Sequence, residues 1–167
     1  MSNSGRIRSI SDAKREVTRL KQDLDDTYVR YLVALTSMPI DFQGDAHKYI
    51  CIRLSGYVEQ LFHMSITGYL KSNHDQSAAN FALSHFKHAP NMKAGNLEQL
   101  VGRFKNGWQT SLDILLIAHN NKDNLNNLLD IRNKTAHGEA YAGSAPQVNT
   151  YKTLVDDLHN WVIANIL

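Results

Sequence analysis

Apolar residues return every three or four positions along most of this chain, and polar residues fill the faces between them. That period belongs to the α-helix, where side chains at i, i+3 and i+4 share one face. Ser9 or Ser11 opens the first such stretch, and Val17, Leu20, Leu24, Tyr28, Tyr31 and Leu35 follow at helical spacing. Pro39 disfavours helical geometry in its predecessor, so the spacing predicts a long helix over 11–37. Pro39 to Asp45 reads as a loop, with Asp45 as the N-cap of a second long helix over 46–71. Ile50, Leu54, Tyr57, Leu61 and Met64 make its apolar face, beside a mixed face of Ile52, Glu59, His63 and Ile66. Gly56 and Gly68 each weaken that helix by up to ~1 kcal/mol against alanine, and a glycine there often admits a close neighbour.

Shorter helices follow. One is predicted over 76–88, with Ala78, Ala82 and Phe86 on one side. Another opens at Asn96, where Gln99 completes a capping-box pattern, and stops at Gly107. Trp108 to Ala118 fits a buried helix or irregular structure better than a strand, because no second β-like run exists to pair with it. Helices over 122–137 and 146–166 close the chain, the last with Ser144 and Gln147 as a capping box. Five or six helices without a sheet make an all-α bundle. Residues 1–10 are polar and expected to be flexible, and 11–167 to form one helical domain.

Composition narrows the class. With 43% hydrophobic and 20% charged residues the chain is ordinary for a globular protein, large enough to need no disulfide or structural metal. Cys51 is the lone cysteine, so no internal disulfide forms, which fits a reducing compartment. No apolar run approaches the ~20 residues of a membrane span, and Met1 to Ser11 has no secretory apolar core; a cytoplasmic place without a membrane partner is expected. A net charge of +2 permits a nucleic-acid partner without requiring one.

The densest polar chemistry lies in Leu129-Asp130-Ile131-Arg132-Asn133-Lys134-Thr135-Ala136-His137-Gly138, at a helix end with glycine as the stop. Five helical residues advance about 500°, so Arg132 and His137 diverge by about 140°, whereas Asn133 and His137 face each other. A histidine can move a proton near neutral pH, and a guanidinium can hold a phosphorane through paired hydrogen bonds. Together they suit cleavage of RNA by its own 2′-hydroxyl, with no metal or other cofactor. A basic residue and a histidine near a helix C-terminus are also what capping electrostatics alone favours.

The form Arg-polar-x-x-x-His, followed by Gly138 near the end of an all-α chain, resembles the HEPN superfamily (higher eukaryotes and prokaryotes nucleotide-binding). The helix carrying Arg53-Leu54-Ser55-Gly56-Tyr57-Val58-Glu59 looks like its RiboL-PSP-HEPN branch, and the resemblance spans roughly 12–165. It implies a four-helix core with one or two accessory helices, and often a homodimer with the motif turns at the interface. It further implies a metal-independent endoribonuclease of phage-defence or toxin–antitoxin systems, with an antitoxin or nucleotidyltransferase-like partner. Arg132 and His137 match the catalytic positions, and Asn133 the supporting polar one. The alternative it allows is a non-catalytic module that binds RNA, a nucleotide or a partner protein.

Other candidates are weaker. Lys134 lies within the motif, and Glu59 is a supporting residue or simply an i, i+4 partner of His63. Arg53, Tyr57 and Gln60 share a face that would approach the motif turn or a second subunit. His85 and His88 lack the further ligands a structural zinc wants. The basic run Lys14-Arg15 and Arg19-Lys21 is a solvated face or an RNA footprint, and Trp108 and Trp161 read as core or interface anchors.

Overall fold

The computed structural model describes residues 7–84, 92–137 and 143–167. Their regular structure is entirely helical: α1 (Ile10–Leu35), α2 (Ile40–Asn73), α3 (Gln76–Ser84), α4 (Ala94–Gly102), α5 (Asn106–Ile117), α6 (Asn121–Ala136) and α7 (Ala145–Asn165). The chain is all-α. The central element is α2, whose 34 residues span about 51 Å and which packs against α1, α6 and α7. Ile50, Leu54, Val58, Leu61 and Phe62 of α2 meet Val17 and Leu24 of α1, Leu125 and Leu128 of α6, and Leu154, Leu158 and Val162 of α7 in one core. α3, α4 and α5 fill the chain between α2 and α6. Trp108 to Ile117 lies in α5, with Leu112 and Leu116 buried.

Several boundaries differ from the sequence expectations. α2 starts at Ile40, directly after Pro39, and Asp45 lies inside it, paired with Lys48 rather than capping. Proline ends α1 without preventing a helix from starting behind it. α4 begins at Ala94, whose N–H donates to Asn126 Oδ1 on α6 at 2.9 Å; that tertiary bond replaces the expected cap at Asn96. Gly107 lies within α5 instead of ending α4. Ser144 occupies the α7 N-cap without a side-chain capping bond, and Gln147 donates to the Tyr151 hydroxyl. His85, His88 and Gly138 lie outside the described residues.

Residues 7–10 are tied to the C-terminal end of α2. Ile7 is buried, its carbonyl accepts from Lys71 Nζ at 2.7 Å, and Ile10 N–H donates to Ser72 Oγ. Gly68 is where α1 and α2 meet closely: a Cβ there would fall 2.6 Å from Ala13 Cβ and 2.9 Å from the Ser9 carbonyl oxygen. Gly56 has open space instead.

Two polar seams complete the bundle. Lys21 and Lys152 each bridge Asp25 and Asp156 at 2.6 to 3.0 Å, joining α1 to α7. Burial alone raises the Asp25 carboxyl, but hydrogen bonds from both lysines outweigh it and hold the group below its ordinary value. Arg15 and Arg19 are likewise engaged, by Asp12 and Glu16. Arg15, Arg19 and Lys21 of the basic run are therefore paired within the chain. Tyr31 and Tyr57 bond the Nδ1 atoms of His47 and His159 at 2.7 and 2.6 Å.

Burial depresses His47, His63 and His159 below the ordinary value of 6.5. Each resists protonation in the fold more than in the unfolded chain, which takes up protons near 6.5. Their contribution to stability is thus complete above that pH and is lost as pH falls through the depressed folded values. Urea midpoints measured from pH 8 down to pH 5 are expected to fall, and to fall less in His47→Gln. Equal profiles for the two proteins would remove His47 from this account.

Candidate active site at the end of α6

The motif turn takes its shape from the last turn of α6. Leu125, Leu128, Leu129 and Ile131 are buried, which anchors the helix and turns Arg132, Asn133 and Lys134 outward. His137 forms the C-cap at φ −94° and ψ 8°, its N–H donating to the carbonyls of Asn133 and Lys134 at 3.2 and 3.1 Å. Its side chain is exposed. Two residues before the arginine, Asp130 pairs with Lys93 at 2.8 Å, tying the turn before α4 to α6.

Arg132 leans toward α2, where its Nη1 donates to Glu59 Oε1 in an ion pair. Glu59 is therefore the partner of Arg132 and not of His63. Burial raises the Glu59 carboxyl above its ordinary value, and the Arg132 charge offsets this only in part. The Arg132 side chain is 43% exposed against 17% for that of Glu59, so part of Arg132 remains open to a ligand. No hydrogen bond joins Arg132 to His137 within the chain among the described residues. The helical geometry separates them, as the 140° divergence requires.

Beside the pair lies an open groove of about 360 Å³, lined among others by Asp23 of α1, Arg53, Gly56, Glu59 and Gln60 of α2, and Arg132 of α6. The polar face of α2 thus does reach the motif helix. Arg53 is held by Asp23 at 2.6 Å, and Tyr57 by His159. Asp23 was not legible as a groove residue, because its spacing on α1 marks only a polar face; the crossing of α1 over α2 brings it to Arg53.

The profile of the RiboL-PSP-HEPN family matches residues 4–165, nearly the whole chain. The chain belongs to that family. No curated protein and no solved structure matches it. In this RiboL-PSP-HEPN chain, no group of three or more histidine, cysteine, aspartate or glutamate side chains is arranged to hold a metal among the described residues. No described helix is long and apolar enough to cross a membrane.

Replacing Glu59 with glutamine tests what holds Arg132. With the Arg132 side chain 43% exposed, solvent screens the pair to about 1 kcal/mol at most, so Glu59→Gln is expected to leave the unfolding free energy within that margin. A loss of several kcal/mol in a urea titration would mean that Glu59 is a structural keystone instead.

Proposed function

We propose that this protein is a metal-independent endoribonuclease that works in the cytoplasm as a homodimer, with two motif turns at one cleft. The reading is carried by one observation: a RiboL-PSP-HEPN chain keeps Arg132 and His137 on the last turn of α6, with the arginine fixed at the rim of a groove by Glu59. In the reaction, the ribose 2′-oxygen attacks phosphorus, the P–O5′ bond breaks, and a 2′,3′-cyclic phosphate and a 5′-hydroxyl result. His137 takes the 2′-hydroxyl proton or supplies one to the leaving 5′-oxygen. Arg132 binds the non-bridging oxygens, whose charge grows in the transition state. Asn133 and Lys134, both exposed on the same turn, are the supporting polar and cationic groups, and Arg53 adds a cation at the groove. The family resemblance supports a setting in phage defence or toxin–antitoxin biology, with an antitoxin or nucleotidyltransferase-like protein as partner.

A second reading is favoured by the matched charges of the groove, where Asp23 and Glu59 already engage Arg53 and Arg132. A non-catalytic module would bind RNA, a nucleotide or a protein there without turnover. The deciding experiment is incubation with single-stranded RNA in the presence of EDTA, with product ends identified. Cyclic phosphate ends, and no cut where a 2′-deoxy nucleotide replaces the scissile ribose, are expected of the enzyme. Binding without products would select the module.

A further inference from the structure

In the groove beside Arg132, Arg53 and Arg132 are each engaged by a carboxylate. A second cavity differs. It occupies about 430 Å³ and is lined by Arg8, Lys71, His74, Gln76 and Asn80, with the buried methyl of Ala79 behind them. Ion pairs engage nine other described lysines and arginines, but none of these reaches Arg8, Lys71 or His74 among the described residues. Lys71 is anchored through its bond to the Ile7 carbonyl, which leaves two ammonium donors unspent. Gln76 and Asn80 stand one turn apart on α3, so both amides serve one wall.

The nearest acidic residues are committed elsewhere. Asp75 Oδ1 accepts from the N–H groups of Ser77 and Ala78, so its charge is directed at the first turn of α3. Asp12 accepts from the Arg8 backbone N–H and pairs with Arg15. An arginine fork, an anchored ammonium and two amides around one cavity make a donor set for tetrahedral oxyanions. We infer that this cavity binds a phosphate group, at a site separate from the Arg132 groove. Lys71 lies twelve residues beyond Glu59 on α2, about 18 Å along the helix, so one phosphate cannot serve both places. The phosphate belongs either to a nucleotide of an extended RNA or to a free phosphorylated ligand.

The test is calorimetric titration of the full chain with inorganic pyrophosphate at low ionic strength. Titrated in the Arg132→Ala background, so that the Arg132 groove contributes nothing, binding is expected and is weakened about 10-fold by adding Arg8→Ala. The Arg8 side chain makes no bond among the described residues, so its removal leaves the fold intact; Asn80→Ala, expected to weaken binding more modestly, checks the opposite wall. A parallel titration with single-stranded RNA separates the sources. Weaker RNA binding in Arg8→Ala, with a shallower salt dependence by about 0.7 in log–log slope, assigns the phosphate to a polynucleotide. Loss of pyrophosphate binding with RNA affinity intact assigns it to a free ligand. No pyrophosphate binding, or equal binding by Arg8→Ala and the parent, overturns the site.

Discussion

Alanine at His137 is expected to lower EDTA-resistant RNA cleavage by about 100-fold to 10,000-fold, the range of a lost general acid or base. The imidazole is exposed at the helix end, and the turn is fixed by its backbone N–H rather than by the ring. The variant should therefore fold with an unchanged urea midpoint while losing activity. Arg132→Ala should fall by a similar factor. Arg132→Lys should recover little, because an ammonium keeps the charge but not the paired geometry. Mixing the two inactive proteins examines the two-copy arrangement. If Arg132 of one subunit works with His137 of the other, a mixed dimer holds one complete site and recovers part of the activity. No recovery on mixing would confine both residues to a single chain. Full activity in both single variants would sink the mechanism altogether.

Gly68→Ala is expected to destabilise the fold by about 1–2 kcal/mol, although alanine is the better helix former. The propensity gain is up to ~1 kcal/mol. Against it stands a Cβ placed 2.6 Å from Ala13 Cβ and 2.9 Å from the Ser9 carbonyl oxygen, neither of which is a flexible side-chain tip. Overpacking of that kind costs about 1–3 kcal/mol and pushes α1 off α2. Valine at the same place should be worse. Gly56→Ala meets nothing within 4 Å and should gain about 0.5–1 kcal/mol. Thermal midpoints should therefore move in opposite directions for two identical substitutions on one helix, by a few degrees each. A gain in both would show that α1 shifts at no cost to accept the methyl group.

These two glycines illustrate what was legible. The sequence marked both as weak points of a helix that often admit a close neighbour, and the packing of α1 selects Gly68 over Gly56. The helical period was legible because burial on one face imposes it locally: Val17, Leu24 and Tyr31 of α1 are buried as their spacing requires. Caps were less so. A capping residue competes with whatever else supplies the free N–H groups, and at α4 that supplier is Asn126, thirty-two positions away in sequence from Ala94. Lys21 read as part of a solvated basic face or an RNA footprint, yet with Asp25 it belongs to a seam completed by Lys152 and Asp156 of α7.

By itself the sequence determined the all-α class, the two long helices, the family resemblance and the Arg132–His137 motif, because each is written in local spacing and residue type. Only the tertiary structure decided which partners those residues take. It gave Arg132 to Glu59, left His137 exposed, matched Arg53 with Asp23, and gathered Arg8 and Lys71 at one cavity. The physical reason is range. Periodicity records which face of a helix is buried, whereas the meeting of charges from distant helices depends on crossing angles that the core as a whole sets.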